Sequence, residues 1–251
     1  MLQILFVLAL FLQHQEGKNT AHISPKAEAV ISSFVRAKGG ESALTKIKDY
    51  TIKGEVVSGG KVVGTFESFH AANRHLSIDR FPDGSSRQHG TDGKIAWRLD
   101  VDDRGSILNG QEARDYMRHY ETMHESLEWK NQFAAILYAG EKTSGDEAVH
   151  HLIFVANDNR QINRYFSVKS GLLIREEQIN GTPKNPQILI SEIRDYVREA
   201  NGSLVSRSRL NHFGSEYSIE YKITSVESNS LSDKTFEVPK SVAEIRDKNA
   251  K

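Results

Sequence analysis

Ten histidines are the residues of this sequence that could bind a transition metal, because neutral imidazole is a common ligand for zinc and related ions. Two histidines that serve one ion from a helix must share a helical face, which spacings of three or four residues provide. His119 and His124 are five residues apart, and the adjacent His150 and His151 point to opposite faces of a predicted strand. No HExxH motif is present. We therefore expect no metal site and no cofactor.

The segment from Asp100 to Gly105 approaches a calcium-binding loop, since it has aspartates at its first and third positions and glycine at its sixth. Arg104 stands at the fifth position, where such a loop needs a ligand oxygen, and Gln111 stands at the twelfth, where a bidentate glutamate is needed. A cation bound there would meet a positive charge. The segment is therefore interpreted as a solvated turn.

No stretch of the chain brings a nucleophile and a base together. The serines in Gly84-Ser85-Ser86 and Gly214-Ser215-Glu216 lack the G-x-S-x-G pattern of a nucleophile elbow. The segment 60–65 has no lysine after its last glycine, where a phosphate-binding loop needs one. Glu176 and Glu177 are neighbours on a predicted strand, so their carboxylates diverge. We expect no enzymatic activity, although a triad assembled from distant residues stays open.

The charge and cysteine content narrow the class of protein further. The 251 residues include 33 basic and 33 acidic side chains, so no surplus of positive charge favours a nucleic-acid backbone as partner. The chain has no cysteine, which excludes disulfides, thiolate catalysis and cysteine-ligated zinc. We expect no nucleic-acid partner.

The N-terminus carries an unbroken apolar run of nine residues from Ile4 to Leu12. A membrane-spanning helix needs roughly 20 such residues, so the run fits a secretory signal peptide better. We predict a signal peptide over residues 1–21, a single domain over 22–245 and a polar tail over 246–251. The mature protein is then periplasmic or secreted and has no transmembrane span.

Two short helices are predicted before the first strand. Pro25 suits the first helical position, and the apolar residues that follow it at 27, 30, 31, 34 and 35 have the spacing of one helical face. The segment Lys38-Gly39-Gly40 ends this helix, and Glu41 to Ile47 fits a second one. We expect these two helices to form a helical cap, and not a domain of their own.

From Tyr50 onward the apolar residues alternate with a period of two, and Gly-, Asn- and Asp-containing turns such as Asp92-Gly93 separate the runs. We predict about ten strands, at 50–57, 62–70, 74–81, 86–90, 94–101, 149–155, 162–168, 172–179, 187–198 with 203–210, and 216–226. Short hairpin loops make the sheet antiparallel. The stretch Asn109 to Tyr138 interrupts the series with helical spacing, and it predicts an inserted helical lid.

The predicted fold class is α+β: a strongly curved antiparallel sheet, forming an incomplete barrel, with an N-terminal helix pair and an inserted lid. Such a sheet leaves a concave apolar surface that its short helices cover only in part. The candidate ligand-binding residues are Phe66, Ile78, Trp97, Leu99, Phe166, Tyr217, Ile219 and Tyr221 from the strands, and Tyr116, Tyr120, Met123 and Trp129 from the lid. For the two tryptophans, the three other lid residues and the three residues at 217, 219 and 221, the alternative is ordinary core packing.

A set of turn and packing motifs along residues 26–240 resembles exported bacterial proteins of the LolA/LolB-like outer-membrane lipoprotein carrier superfamily. These motifs are Gly39-Gly40-Glu41-Ser42-Ala43-Leu44, Phe81-Pro82-Asp83-Gly84, the segment from Gly90 to Trp97, Tyr165-Phe166, Ser170-Gly171-Leu172-Leu173, Asp195-Tyr196 and Phe236-Glu237-Val238-Pro239. The resemblance implies an incomplete antiparallel barrel, closed by helices, that holds acyl chains in a hydrophobic cavity.

The function expected from this resemblance is that of an exported amphiphile-binding protein carrying a lipid or lipoprotein acyl chain, with an envelope protein as donor or acceptor. No functional residue of the family is carried over, because none matches a position here. The alternative function is a non-catalytic envelope module for protein interaction or sensing, with a filled barrel. Cavity volume distinguishes the two.

Overall fold

The computed structural model describes residues 22–110, 112–113, 125–157, 159–182, 185–215 and 217–249. Within these ranges, fourteen strands form one sheet and four α-helices pack against it. The α+β class predicted from the sequence is confirmed. No helix of the described ranges is both long and apolar enough to cross a membrane.

The strands share one sheet but do not follow chain order across it. They are β1 (His22–Ile23), β2 (Asp49–Ser58), β3 (Lys61–Ala71), β4 (Arg74–Arg80), β5 (Ser86–Thr91), β6 (Ala96–Leu99), β7 (Gly105–Ile107), β8 (Phe133–Ser144), β9 (Glu147–Ala156), β10 (Gln161–Ser167), β11 (Leu173–Thr182), β12 (Asn185–Arg198), β13 (Leu204–Phe213) and β14 (Tyr217–Ser228). The spatial order is β1-β8-β9-β10-β11-β12-β13-β14-β2-β3-β4-β5-β6-β7. The strand β14 therefore joins the two halves of the chain by pairing with β2.

The sheet differs from the predicted incomplete barrel of about ten antiparallel strands. Among the described residues it is an open sheet with β1 and β7 at its edges, and it is mixed, because β1 pairs with β8 in parallel. Three strands were not predicted, namely β1, β7 and β8, and the predicted run 187–198 with 203–210 forms two strands, β12 and β13.

The strand β8 lies where the sequence predicts the end of the helical lid. Its register against β9 shifts between Phe133 and Ala135 and again between Tyr138 and Gly140. Each shift is a bulge, which inserts an extra residue and breaks the alternation of faces. The apolar residues of β8 consequently lose their period of two, and their spacing resembles that of a helix.

The helices are α1 (Pro25–Ala37), α2 (Glu41–Leu44), α3 (Glu125–Gln132) and α4 (Lys240–Asn249), with a 3-10 turn at Asp233–Phe236. The predicted N-terminal helix pair is present as α1 and α2. Gly39 and Gly40 end α1 with φ of 116° and 81°, which favour glycine. The C-terminal α4 crosses position 246, where the sequence predicts a polar tail.

Among the described residues, three apolar cores lie on different parts of the sheet, and two of them include residues of α1, α3 or α4. In the first, α1 and α3 pack on β8, β9 and β10 through Phe34, Trp129, Phe154 and Phe166. In the second, Val242 of α4 packs against residues of β6. The helices thus leave the stretch of sheet between β10 and β5 without a packed helix over most of its width.

Gly54 in the interior of β2 allows β14 to approach closely. A Cβ atom at this position would lie 2.1 Å from the carbonyl oxygen of Lys222 and 2.7 Å from the ring of Phe66. We expect Gly54→Ala to lower the free energy of unfolding by about 3 kcal/mol, because the obstacle is backbone and cannot rotate away. Urea denaturation measures this loss of stability.

Gly59→Ala is the control for this experiment. A Cβ atom at Gly59 would meet nothing within 4 Å, so only the strain of its φ of 56° remains, about 1 kcal/mol. Equal losses in the two variants would contradict the close approach.

Candidate functional site

A cavity of about 540 Å³ lies on one face of the sheet. Its described lining comes from the eleven neighbouring strands β8 to β5 in the spatial order, together with α1 and α3. Small-molecule sites in proteins occupy roughly 300–1,000 Å³. The cavity therefore has the volume of a binding site for one small or medium-sized molecule.

The register of β3, β4 and β5 explains which of their side chains reach the cavity. Residues directly opposite each other on neighbouring strands share a face. Phe66 lies opposite Asp79, and Asp79 lies opposite Arg87. Two residues along each strand, a second row of opposite residues consists of Ser68, Ser77 and His89. All six of these side chains line the cavity.

Aromatic side chains form two apolar walls of the cavity. On one side, the rings of Phe34 and Trp129 are stacked, with centroids 5.5 Å apart. On the other side, Phe66 and Tyr221 meet edge to face at 5.4 Å. Ring pairs at such distances pack favourably and give each wall a fixed shape.

The first polar cluster of the lining is centred on Glu176 of β11. Its Oε2 accepts a hydrogen bond of 2.8 Å from Nε of buried Arg164, and its Oε1 lies 3.3 Å from Nη2 of Arg209. The Arg164 guanidinium also lies over the ring of Trp129, 4.7 Å from its centroid. This arginine thereby links the carboxylate to the apolar wall.

The second charged pair is Asp79 with Arg87, in which Nη2 of the arginine lies 2.8 Å from a carboxylate oxygen. Counted over the described lining residues, the charged side chains are five basic and two acidic. The basic ones are Lys38, Arg87, Arg160, Arg164 and Arg209, and the acidic ones are Asp79 and Glu176. The described lining therefore carries a net positive charge beside its aromatic walls, and it is less apolar than the sequence predicts.

Three histidines form a cluster at one end of the cavity, in which His70 and His75 are buried and His89 is half-buried. The ring of His70 stacks on Tyr50 at 4.4 Å and lies 4.5 Å from that of His75, which is 5.9 Å from that of His89. Burial lowers the pKa of His70 to about 3 and that of His89 to about 4. The pKa of His75 is lowered by burial and by its two neighbouring histidines. All three imidazoles are therefore neutral at pH 7.

This histidine cluster was not predicted from the sequence, although the sequence contains a signal for it. His70 and His75 stand symmetrically about the turn Ala72-Asn73, and residues placed so in a two-residue hairpin pair directly. Within the described residues, no group of three His, Asp or Glu side chains is arranged to hold a metal ion. The cluster is thus a packed arrangement of neutral rings.

Of the residues predicted to bind a ligand, Phe66, Trp129 and Tyr221 line the cavity. Phe166 is fully buried in the core behind it, where its ring meets that of Phe34 edge to face. Tyr217 and Ile219 share the face of Tyr221 on β14, by alternation, but lie further along the strand. Tyr217 is 51 % exposed and stacks on Phe213.

The positions of Ile78, Trp97 and Leu99 correct the expectation that they face the same hollow. Ile78 lies between Ser77 and Asp79, which line the cavity, so its side chain points to the other face of the sheet. Trp97 and Leu99 pack with Val242 of α4 in the second core. The alternation was recognised correctly, but at β6 a helix that the sequence did not predict covers the opposite face.

The remaining predicted residues, Tyr116, Tyr120 and Met123, lie outside the described residues. The described part of the predicted lid includes α3, which contributes Ser126 and Trp129 to the cavity. The cationic residues of the lining were also missed. Their types and positions carry no local motif, and only the strand register brings them together.

The comparisons with known proteins identify the fold. A DUF1329 family protein from Desulfovibrio piger matches with a TM-score of 0.58 and 12% identity, over 84% of this chain and 96% of its own. A LolA superfamily protein from Nitrosomonas europaea matches with a TM-score of 0.56 and 10% identity, over 79% of this chain and 97% of its own. A domain from Vibrio parahaemolyticus assigned to outer membrane lipoprotein sorting matches with a TM-score of 0.54 and 9% identity, over 82% and 97%.

No protein-family model matches the sequence, and no curated protein matches it either. The likeness at these identities is one of fold alone. The chain has a LolA/LolB-like fold, as the sequence motifs predict.

Proposed function

We propose that this chain is an exported, non-enzymatic binding protein that holds an amphiphile, a lipid or the acyl chain of a lipoprotein, in the cavity. The single observation that carries this proposal is a 540 Å³ cavity whose walls combine aromatic rings with charged side chains. Sites of this kind suit ligands that have an apolar body and a polar end. The LolA/LolB-like fold supports the same proposal, since one structure of this fold is assigned to lipoprotein sorting.

The apolar walls supply the binding energy in this proposal. Each methylene group that leaves water contributes up to about 0.8 kcal/mol, so a chain of moderate length is held without any covalent step. The two lining carboxylates, Asp79 and Glu176, are paired with arginines, which gives them the role of counter-ions. For this reason we propose binding without catalysis.

Export and an envelope partner belong to the same proposal. The predicted signal peptide, residues 1–21, lies outside the described residues. A carrier of acyl chains must receive its cargo from one membrane or protein and release it to another. The alternative module with a filled interior is less well supported, because filling it would require side chains in the space that the cavity occupies.

Filling the cavity by mutation tests the proposal. Ser68 lines the cavity from β3, and its Oγ lies 3.1 Å from Oγ of Ser77. We expect Ser68→Phe to reduce binding of a fatty acid such as palmitate by at least tenfold, because the ring takes up space that the chain needs. Thr65→Phe is the matched control, since Thr65 is an exposed residue on the opposite face of the same strand.

Native mass spectrometry of each variant, titrated with palmitate, reads the bound fraction directly. The expected result is a bound adduct on the original protein and on Thr65→Phe, and its loss from Ser68→Phe. Equal adducts on all three proteins would place the ligand elsewhere and contradict the cavity as the site. Thermal unfolding of both variants shows whether the introduced ring has disturbed the fold.

A further inference from the structure

Arg209 is a cation of the cavity that stays open to incoming molecules. It lies on β13, its side chain is 45% exposed, and it lines the cavity. Its contact with Glu176 is long, at 3.3 Å, whereas Arg164 holds the same carboxylate at 2.8 Å and is buried. One carboxylate therefore stands between two guanidinium groups, and Arg209 is the outer and more loosely held of the two.

Neutral polar groups lie next to Arg209 on the same face of the sheet. Asn211 is two residues further along β13, and its Oδ1 accepts a hydrogen bond of 2.8 Å from Oγ of Ser191 on β12. Both side chains line the cavity. A cation flanked by amide and hydroxyl groups is a suitable environment for the oxygens of a carboxylate or phosphate.

An apolar surface begins directly beside this cation. Tyr221 of β14 is the residue opposite Arg209, and its ring meets Phe66 edge to face. Ile52 and Ile223 extend the apolar lining. The arrangement joins one positive end on β13 to an apolar stripe that crosses β14, β2 and β3.

We infer that the ligand of this cavity is an acidic amphiphile, with its carboxylate or phosphate held by Arg209 and its acyl chain lying along Tyr221 and Phe66. This inference rests on the proposed function and narrows it. Acyl chains in ester or amide linkage carry no charge at the linkage. The preference for an anionic end therefore selects fatty acids or anionic phospholipids over neutral or zwitterionic lipids of equal chain length.

Binding of matched pairs of ligands tests the inference. The full chain, stripped of bound lipid, is titrated calorimetrically with dodecanoate and with dodecanol. It is then titrated with dihexanoyl phosphatidylglycerol and with dihexanoyl phosphatidylcholine. In at least one pair we expect the anionic member to bind at least tenfold more tightly. The pair in which the preference appears identifies the source of the anion, a free fatty acid or a phospholipid.

Variants of Arg209 connect the preference to this residue. We expect Arg209→Gln to bring the two members of the pair within twofold of each other, and Arg209→Lys to retain the preference because it retains the charge. Arg194→Gln is the control, since Arg194 is an exposed arginine of the adjacent strand that pairs with Glu192. It should leave the preference unchanged.

The outcomes separate this inference from the proposed function. If charged and uncharged members bind equally tightly, or if Arg209→Gln keeps the preference, the acidic headgroup is overturned while binding in the cavity stands. If none of the four ligands binds, the proposed function itself fails. Thermal unfolding of the unliganded variants confirms that they are folded.

Discussion

Lowering the pH from 8 to 5 is expected to reduce the free energy of unfolding by roughly 4–6 kcal/mol, because buried His70 and His75 and half-buried His89 are neutral rings in the folded protein. Burial is the main reason that each pKa is lowered. For His89, the carboxylate of Asp79 opposes the effect of burial and Arg87 adds to it. The three rings face one another on β3, β4 and β5, so a proton on one disfavours a proton on the next.

The loss of stability at low pH follows from the difference in proton binding between the folded and the unfolded state. In the unfolded chain, each histidine takes up its proton near pH 6.5, whereas in the folded protein His70 does so only near pH 3 and His89 near pH 4. Between the pKa values of the folded protein and that of the unfolded chain, the unfolded state holds more protons, so stability rises with pH. At pH 5 each such histidine destabilises the fold by about 2 kcal/mol relative to pH 8.

Urea denaturation at a series of pH values between 8 and 5 measures this loss. We expect His70→Phe, which can keep the stack on Tyr50, to reduce the slope of stability against pH by the equivalent of one proton. His22→Gln is the control, since His22 is exposed. A protein as stable at pH 5 as at pH 8 would contradict a cluster of three neutral imidazoles in the folded state.

The second large effect is expected at Glu176. Replacing it by alanine leaves the buried guanidinium of Arg164 without the carboxylate that binds it at 2.8 Å. Removing one partner of a buried pair costs about 3–5 kcal/mol, because the remaining charge is buried without compensation. We expect a loss of this size for Glu176→Ala, measured by urea denaturation at pH 8.

The neighbouring Glu177 is a matched control for this experiment. It points to the opposite face of β11, where it accepts hydrogen bonds from Tyr165 and Arg175 and is partly exposed. We expect Glu177→Ala to cost about 1 kcal/mol. The double variant Glu176→Leu with Arg164→Met should recover most of the lost stability, since no charge then remains buried. Equal losses for Glu176→Ala and Glu177→Ala would contradict the buried pair.

Most of the strands could be predicted from the alternation of apolar residues and from the turns between them. The turn at Asp92-Gly93 is an example: Gly93 has a φ of 88°, and the carboxylate of Asp92 accepts hydrogen bonds from the backbone amides of Lys94 and Ile95. The prediction failed at β8, where two bulges remove the period of two. The predicted strand 172–179 also ended too early, since β11 continues to Thr182.

The candidate site was harder to predict, since alternation divides a strand into two faces without telling which of them lines a cavity. Phe66 and Trp97 both lie on well-predicted strands, yet only Phe66 reaches the cavity, because α4 buries Trp97 on the other face. The charged lining depends on register across many strands. Arg164, Glu176 and Arg209 are far apart in the sequence, and the pairing of β10 to β13 brings them together.

The central claim, that the cavity holds an amphiphile, is tested most directly by analysing what the protein carries when it is isolated. The protein is purified gently without detergent, extracted with organic solvent, and the extract is analysed by mass spectrometry, with Ser68→Phe purified in parallel. We expect about one acyl-chain compound per protein molecule from the original chain and far less from Ser68→Phe. A protein that yields no lipid and takes up neither fatty acids nor phospholipids when they are added would contradict the claim.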